Sequence, residues 1–575
     1  MDPHRTKCKT KRFSVFGPRL GNLFFSLVLS FCVVPISAET VTVAFAAEPV
    51  QIDPTRSTAG VDQYFTTLFY EQLLMRDPDL NQVNALAEHW EIIENEGTTE
   101  IHVRIRQDVK FHNGQELTTR DFEYSFKRLR DPLSGARNSL RYVDRFEIID
   151  DYNFKLTLSQ ADGAIVSLNL ILTAIPRDYF ERVGDAGVQL HPIGTGPWKF
   201  VSRKPREEIV VERFEDYWDK GARSEVQRLV IKIIPEDTTR VAALKTGAVD
   251  WIDAVPPALV DNLKAIPDIE VVSRPAPNNL FLHINAIDAN SPFRKVKVRQ
   301  AIAHAIDVDA IVKYILHGQG IRTVQLAPGT LGYDPDLEPY SYDPDEARRL
   351  LDDAGYPAGI STPCYNLTTP REPHFKEVGE TMFAYLNEVG IRCRIVQLEY
   401  GAWINVARRN SRPHMDGLLN GMWGQGLPGD PTDAFGGHLH SEGDGWGTYS
   451  YFSDTEFDRA IEELRTVIDE EKRADMIRSI TRRKHQQVAG GFPTYRPLVS
   501  IAWRNTLTFK PWPQAFWRSM RQISIQTSLK VVFNSEINQE TVYTGSILLL
   551  QNSTFIQGNH DVKGKNLVFQ PQDNL

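Results

Sequence analysis

Apolar and polar positions alternate with a period of two where the first clear pattern appears: Val41, Val43 and Phe45 are spaced by small or polar residues, which predicts an opening strand over 39–45. A stripe at helical spacing follows. Phe65, Leu68, Phe69, Gln72 and Leu73 predict a helix over 62–74. Two strands are expected between Trp90 and Phe111, closed by a turn at His112-Asn113-Gly114, because Asn-Gly tolerates the left-handed backbone of tight turns. The next helix begins at Thr118 or Thr119, with Asp121 near its positive end and Phe122 and Phe126 facing inward. Further strands are predicted at 146–149, 154–158, 209–214 and 229–234, and a short helix at 237–246 carries Val241 and Leu244.

Longer helices dominate the later chain. Asp343 as N-cap, Pro344 at the first helical position and Gly355 just past the end bracket one of them, and Pro357 prevents its continuation. Ser453 and Glu456 form a capping-box pattern for another, whose apolar stripe is Phe457, Ile461, Leu464 and Ile468. Strands and helices are intermixed rather than segregated, which indicates an α/β or α+β architecture. At 575 residues the chain exceeds what one hydrophobic core supports, so two or three lobes are expected. Its composition, 41% hydrophobic and 24% charged, is that of an ordinary globular protein.

The first 38 residues stand apart. Arg5, Lys7, Lys9, Lys11, Arg12 and Arg19 form a basic head, residues 20–34 an apolar run, and Pro35-Ile36-Ser37-Ala38 a small-residue end, the pattern of a secretory signal peptide cleaved near Ala38. Its loss removes mostly basic residues from a chain whose net charge is already −9, so the mature surface is acidic, which argues against nucleic acid or an anionic membrane as partner. Bulky Phe31 before Cys32 departs from a lipoprotein acylation site, so the mature protein is expected to be soluble. Cys364 and Cys393 remain in an oxidising compartment and are open to pairing, though spacing alone does not decide it.

Chemical motifs are sparse. Gly424-Gln425-Gly426-Leu427-Pro428-Gly429 satisfies G-x-G-x-x-G, but Pro428 and Pro431 favour an extended loop over the strand-to-helix turn that a dinucleotide needs. Neither H-E-x-x-H nor G-x-S-x-G occurs, so no hydrolase signature is present, and no cofactor is expected. His438 and His440, two apart, share a face if extended and with His414 and Asp444 offer either a nickel or zinc site or a solvated loop. Trp423, Phe435, Trp446, Tyr449 and Tyr451 fall within thirty residues among glycines, an arrangement that fits either core packing or an aromatic wall over a ligand.

Ordered segments carry a resemblance. Pro192-Ile-Gly-Thr-Gly-Pro-Trp-Lys-Phe200 with Phe214-Glu-Asp-Tyr-Trp218, Leu86-Ala-Glu-His-Trp90, Val109-Lys-Phe-His-Asn-Gly114, Gly247-Ala-Val-Asp250, Val298-Arg-Gln-Ala-Ile-Ala-His-Ala-Ile-Asp307 and Tyr342-Asp-Pro-Asp-Glu-Ala-Arg348 resemble, in order, the motifs of the family 5 extracytoplasmic solute-binding proteins, the large peptide receptors of ABC importers. The similarity runs from about Glu39 to about Trp512. It implies an α/β fold of the two-lobed periplasmic-binding-protein type with a hinge between lobes and an extra sub-domain in the first. The expected layout is a signal peptide at 1–38, lobe I at 39–280 with the sub-domain at about 79–192, lobe II at 281–498, a return to lobe I at 499–524, and an extension at 525–575. Crossings between the lobes are expected near 280–285 and 494–501. The extension, outside the resemblance, reads as a strand-rich appendage or a poorly ordered tail.

For the site, the resemblance points to Trp423, Gln425, Gly426 and Asp430, since the segment is similar to the family's W-x-x-D-x-x-x-P cleft loop, whose aspartate pairs a peptide's α-ammonium. This chain departs there: Gly426 stands at the matching position and the nearest carboxylate is Asp430. Tyr64 on the first helix, Arg371 in a loop before a helix at 375–389, and Trp446 complete the expected contacts, Arg371 as a partner for a ligand carboxylate. The implied function is a periplasmic, monomeric receptor that captures an oligopeptide-like or other small polar solute by hinge closure and presents it to an ABC permease. The alternatives are a nickel-complex, opine or sugar receptor on the same fold, or a secreted hydrolase using carboxylates such as Asp430 and Asp433.

Overall fold

The computed structural model describes residues 40–525 apart from 58–59, 78–80, 96–97, 135–139, 141, 168–171, 277, 369–373, 409–413, 425–428, 443–448 and 510–522. It also describes short strands at 10–13, 29–32, 529–532, 549–551, 554–556, 558–563 and 566–571. Strand Thr40–Phe45 is buried almost throughout, with Val41, Val43 and Ala44 fully covered, because it lies inside an eight-stranded sheet with parallel neighbours Arg228–Ile233 and Trp251–Ile252. Tyr495–Arg504 and Ile269–Pro275 extend that sheet on one side, Glu208–Arg213 and Trp198–Lys204 on the other, and the eighth strand, Gly320–Arg322, pairs with Tyr495–Arg504. A second, five-stranded sheet runs Ile391–Leu398, Ile360–Leu367, Leu418–Gly424, Asn278–Ile284, Gly491–Pro493. Separate apolar clusters back the two, one built on Val43, Phe65 and Trp198, the other on Leu282, Ile302 and Phe383.

Between Phe69 and Trp198 the chain builds a four-stranded antiparallel sheet, Ala87–Asn95, Thr98–Ile105, Asn153–Leu158, Val143–Ile148, covered by helix Thr119–Arg130. That helix starts as its sequence predicts: Thr118 and Asp121 form a reciprocal capping box, and Phe122 and Phe126 are buried. The helix Pro344–Asp353 likewise has Asp343 as N-cap, accepting from the Glu346 N–H at 2.9 Å, and Gly355 beyond its end at φ 87°.

Three expectations need correction. The first helix is Gly60–Phe69, five residues shorter at its end than predicted, because the chain turns so that Glu71 points inward and Leu74–Arg76 becomes a strand. Helix Thr455–Thr466 is capped by Asp454, not Ser453; the Asp454 carboxylate accepts from the N–H groups of Glu456 and Phe457 and complements the positive helix end, while Ser453 bonds to Ser441. His438 lies inside helix Thr432–Leu439 and His440 caps its end, so the two do not share a face of an extended segment.

Cys364 and Cys393 form a disulfide across the parallel strands Ile360–Leu367 and Ile391–Leu398, with Cα atoms 5.4 Å apart. In the C-terminal extension, Asn566–Pro571 pairs with both Leu529–Val532 and Gly558–Lys563. Among the described residues, no helix is long and apolar enough to cross a membrane.

Candidate functional site

Among the described residues two straps join the large sheets, and the short strand Gly320–Arg322, reached from the five-stranded sheet, pairs with Tyr495–Arg504 beside them. The chain leaves the eight-stranded sheet after Pro275, enters the five-stranded sheet at Asn278, and returns between Pro493 and Tyr495. The two straps are stitched together by main-chain bonds, Ala276 N–H to Pro497 O at 2.8 Å and Thr494 N–H to Leu280 O at 3.0 Å, the latter reinforced by Thr494 Oγ1 at 2.9 Å. A buried side-chain knot joins them as well. Arg496 Nε donates to Asn279 Oδ1 at 2.9 Å, Asn279 Nδ2 donates to the Gln325 carbonyl at 2.6 Å, and Arg496 Nη2 reaches the same carbonyl at 3.3 Å. Burial lowers the Arg496 pKa to about 10, which still leaves it charged at neutral pH. Gln325 holds φ at 119°, a conformation that a residue with a Cβ adopts only under strong local constraint.

Trp423 lies on the strand beside the first strap, its backbone in register with Asn279, and Gly424 opposite Asn278. The predicted cleft loop therefore leaves the strand next to the knot. Gln425 and Gly426 fall outside the described residues, as do Arg371 and Trp446. Asp430, at the loop's far end, has a fully buried carboxylate facing Arg473: Nε donates to Oδ2 at 2.9 Å and Nη2 also contacts it. The other Asp430 oxygen accepts from the Thr432 N–H at 2.8 Å. Its acceptor positions are thus engaged within the protein, and Asp430 anchors the end of the loop to helix Glu470–Gln487. Tyr64 is half-buried on the first helix, its ring 6.5 Å from Phe45 at the edge of the Phe45, Phe65 and Trp251 cluster.

Beyond Thr432 the aromatic segment packs inward. The His438 ring lies between those of His283 at 5.8 Å and Tyr449 at 5.7 Å, both nearly parallel to it. Burial pushes the His283 pKa down to about 4 and that of His438 well below its ordinary value, so both are neutral. His414 faces Asp288 at 3.3 Å, His440 faces Glu462 at 3.2 Å, and Asp444 lies outside the described residues. Among the described residues, no three His, Cys, Asp or Glu side chains form a group able to hold a metal. Sequence reading missed Asn279, Gln325, Arg473 and Arg496; none belongs to a local pattern, and each acquires meaning only through a partner more than forty residues away.

Motif residues between Pro192 and Trp218, together with His112, make contacts that hold the fold. Tyr217 Oη at 2.8 Å, Trp218 Nε1 at 2.8 Å and Thr195 Oγ1 at 3.1 Å all donate to the buried carboxylate of Glu71. Gly194 N–H can only donate, so His112 Nδ1 accepts from it at 3.4 Å and Nε2 donates to the Gly196 carbonyl at 2.9 Å. Neither Gly194 nor Gly196 takes a positive φ; glycine is needed because a Cβ at either position would collide with the carbonyl end of the first helix, for Gly196 at 2.5 Å from Leu68 O.

Comparisons agree with this geometry. The family model described as bacterial extracellular solute-binding proteins, family 5, matches residues 81–446. The chain is 30% identical over 432 residues to heme-binding protein A of Haemophilus influenzae, covering 70% of this chain and 77% of that protein. It is 26% identical over 509 residues to a dipeptide-binding protein of Escherichia coli, covering 83% and 93%. Among solved structures, HbpA2 from Haemophilus parasuis superposes with a TM-score of 0.74 at 24% identity, covering 85% of this chain and all of that one. A Helicobacter pylori periplasmic binding protein in complex with the peptide STSA gives 0.70 at 23%, covering 85% and 98%. With two lobes, two straps and this match over most of its length, the chain belongs to family 5 of the bacterial extracellular solute-binding proteins.

Proposed function

We propose that this protein captures an oligopeptide-like or other small polar solute between its lobes in the periplasm, as a monomer freed from its signal peptide near Ala38, and hands it unchanged to an ABC permease. The observation that carries the reading is the narrow waist between the two cores: among the described residues the straps at 275–278 and 493–495, with Gly320–Arg322 paired beside the second, join the large sheets, and rotation of the lobes about the Asn279–Arg496 knot disturbs few other contacts. A solute that touches both lobes only when they are shut has higher affinity for the closed form and shifts the population toward it. Trp423, beside the hinge, is proposed as a wall of the cleft, with Gln425, Gly426, Tyr64, Arg371 and Trp446 as further contacts.

A second reading has its own support. Asp430 is engaged by Arg473, and Gly426 replaces the aspartate that resemblance would assign to a ligand amine. That favours a solute without a free α-ammonium at this point, and the heme-binding relative is consistent with it. Thermal-shift measurements with small peptides, reduced glutathione and haemin separate the two, since a ligand at a hundredfold over its Kd adds about 2.7 kcal/mol. Stabilisation by peptides supports the first reading and by haemin alone the second; stabilisation by none contradicts both. Trp423→Ala is expected to weaken the stabilising compound's binding without lowering the ligand-free melting temperature.

A further inference from the structure

The inserted sub-domain of lobe I touches lobe II at a seam between the turn at 162–164 and the end of helix Thr455–Thr466. Gly163 N–H donates to the Arg465 carbonyl at 2.9 Å, tying the turn at 162–164 to the end of helix Thr455–Thr466. Packing there is so close that a Cβ on Gly163 would overlap the Val467 carbonyl oxygen and Arg473 Nη1 and lie 2.8 Å from Arg473 Cζ. Gly163 does not have a positive φ, so its glycine answers to this cross-lobe approach and not to backbone geometry. The turn that presents it is set by Asp162, whose carboxylate accepts from the Ala164 N–H at 3.1 Å. At the rim, the Arg465 guanidinium lies 6.0 Å from the centre of the Tyr142 ring, again lobe II against sub-domain.

Both arginines of the seam also hold the segment that ends the cleft loop. Arg473 binds Asp430, and Arg465 pairs with Asp433 at 3.2 Å. Arg473 Nη1 further donates to the Leu464 and Val467 carbonyls at 2.6 and 2.7 Å, so the surface that Gly163 rests on and the anchor of the cleft loop form one rigid piece.

We propose that this seam is a closure latch: the sub-domain turn at Gly163 seats on the Arg465, Val467 and Arg473 platform only when the lobes are shut, and so sets how much closed form exists before any solute binds. The latch rests on the reading of the protein as a closing receptor. Because apparent affinity scales with the fraction of competent form, loosening the latch weakens capture from outside the cleft.

The test is small-angle X-ray scattering of the ligand-free full-length mature protein, comparing wild type with Gly163→Leu and with the rim variant Tyr142→Ala, each checked by circular dichroism for an unchanged fold. A larger radius of gyration in Gly163→Leu, and a smaller change of the same sign in Tyr142→Ala, is expected. If Gly163→Leu does not fold, Tyr142→Ala alone decides. Profiles that superpose on wild type in every folded variant overturn the latch. Titration of haemin, reduced glutathione and Met-Leu separates this from the receptor reading: any probe that binds wild type is expected to bind Gly163→Leu about tenfold more weakly. Equal affinity in both proteins overturns the latch, whereas failure of all three probes to bind wild type counts against the proposed solutes and leaves the scattering result to judge the seam.

Discussion

Arg496 on the returning strap donates to the side-chain oxygen of Asn279 on the outgoing strap, 217 residues earlier, at 2.9 Å and almost wholly out of water. This bond ties the two crossings together where they meet. Asn279→Leu removes both the acceptor for Arg496 and the donor to Gln325. Loss of about 1–3 kcal/mol in urea unfolding is expected, because desolvated polar groups lose their bonds. Unchanged stability would show that the knot is dispensable.

Glu71 gathers three donors from the signature segments, and its burial makes that cluster sensitive. Glu71→Ala is expected to cost on the order of 3 kcal/mol, since Tyr217, Trp218 and Thr195 all lose their shared buried acceptor. Chemical denaturation measures it. A change below half a kilocalorie would mean that the cluster relaxes or rehydrates freely.

Acid weakens the protein through buried neutral histidines. Burial lowers the pKa of His112 to about 3 and those of His283 and His485 to about 4. Below the ordinary value near 6.5 the unfolded chain therefore binds more protons than the folded one, and stability falls as pH drops from about 6.5 toward 4, by about 1.4 kcal/mol per unit for each fully buried ring. Asp253 acts in the opposite sense: burial raises it to about 7, so its contribution declines as pH rises from about 4 to 7. With several histidines against it, the net expectation is a lower unfolding free energy at pH 4.5 than at pH 6.5. His112→Gln is expected to flatten the slope; a flat wild-type profile contradicts the assignment.

The Cys364–Cys393 bridge closes a span of 29 residues. Loop-closure entropy gives it about 3–4 kcal/mol, so reduction or Cys393→Ser is expected to lower the unfolding free energy of lobe II by that order. Identical denaturation curves with and without reductant would show the bridge to be absent in solution.

Local chemistry made most of the fold legible, because caps, turns and stripes act within a few residues. Asp343, Thr118 with Asp121, and Phe457, Ile461 and Leu464 behave as their spacing demands, whereas Ile468, the last position of that predicted stripe, falls beyond the helix end at Thr466. Ser453 misled because two cap-competent residues are adjacent, and the charged one makes two bonds to the helix start. The helical stripe past Phe69 misled for a tertiary reason: Glu71 has to turn toward Tyr217 and Trp218, which local periodicity cannot express. The site was less legible. Asp430 is a conspicuous carboxylate beside the predicted cleft loop, yet its partner Arg473 is 43 residues away on a helix whose surface otherwise reads as ordinary charge.

The central claim is capture without chemistry, and its most direct measurement is equilibrium dialysis of the mature protein against peptides, reduced glutathione and haemin, followed by mass spectrometry of what is retained. The account predicts that one equivalent of at least one compound is held and recovered with its mass unchanged. Retention of none of them, or recovery of a cleaved or altered product, would contradict it.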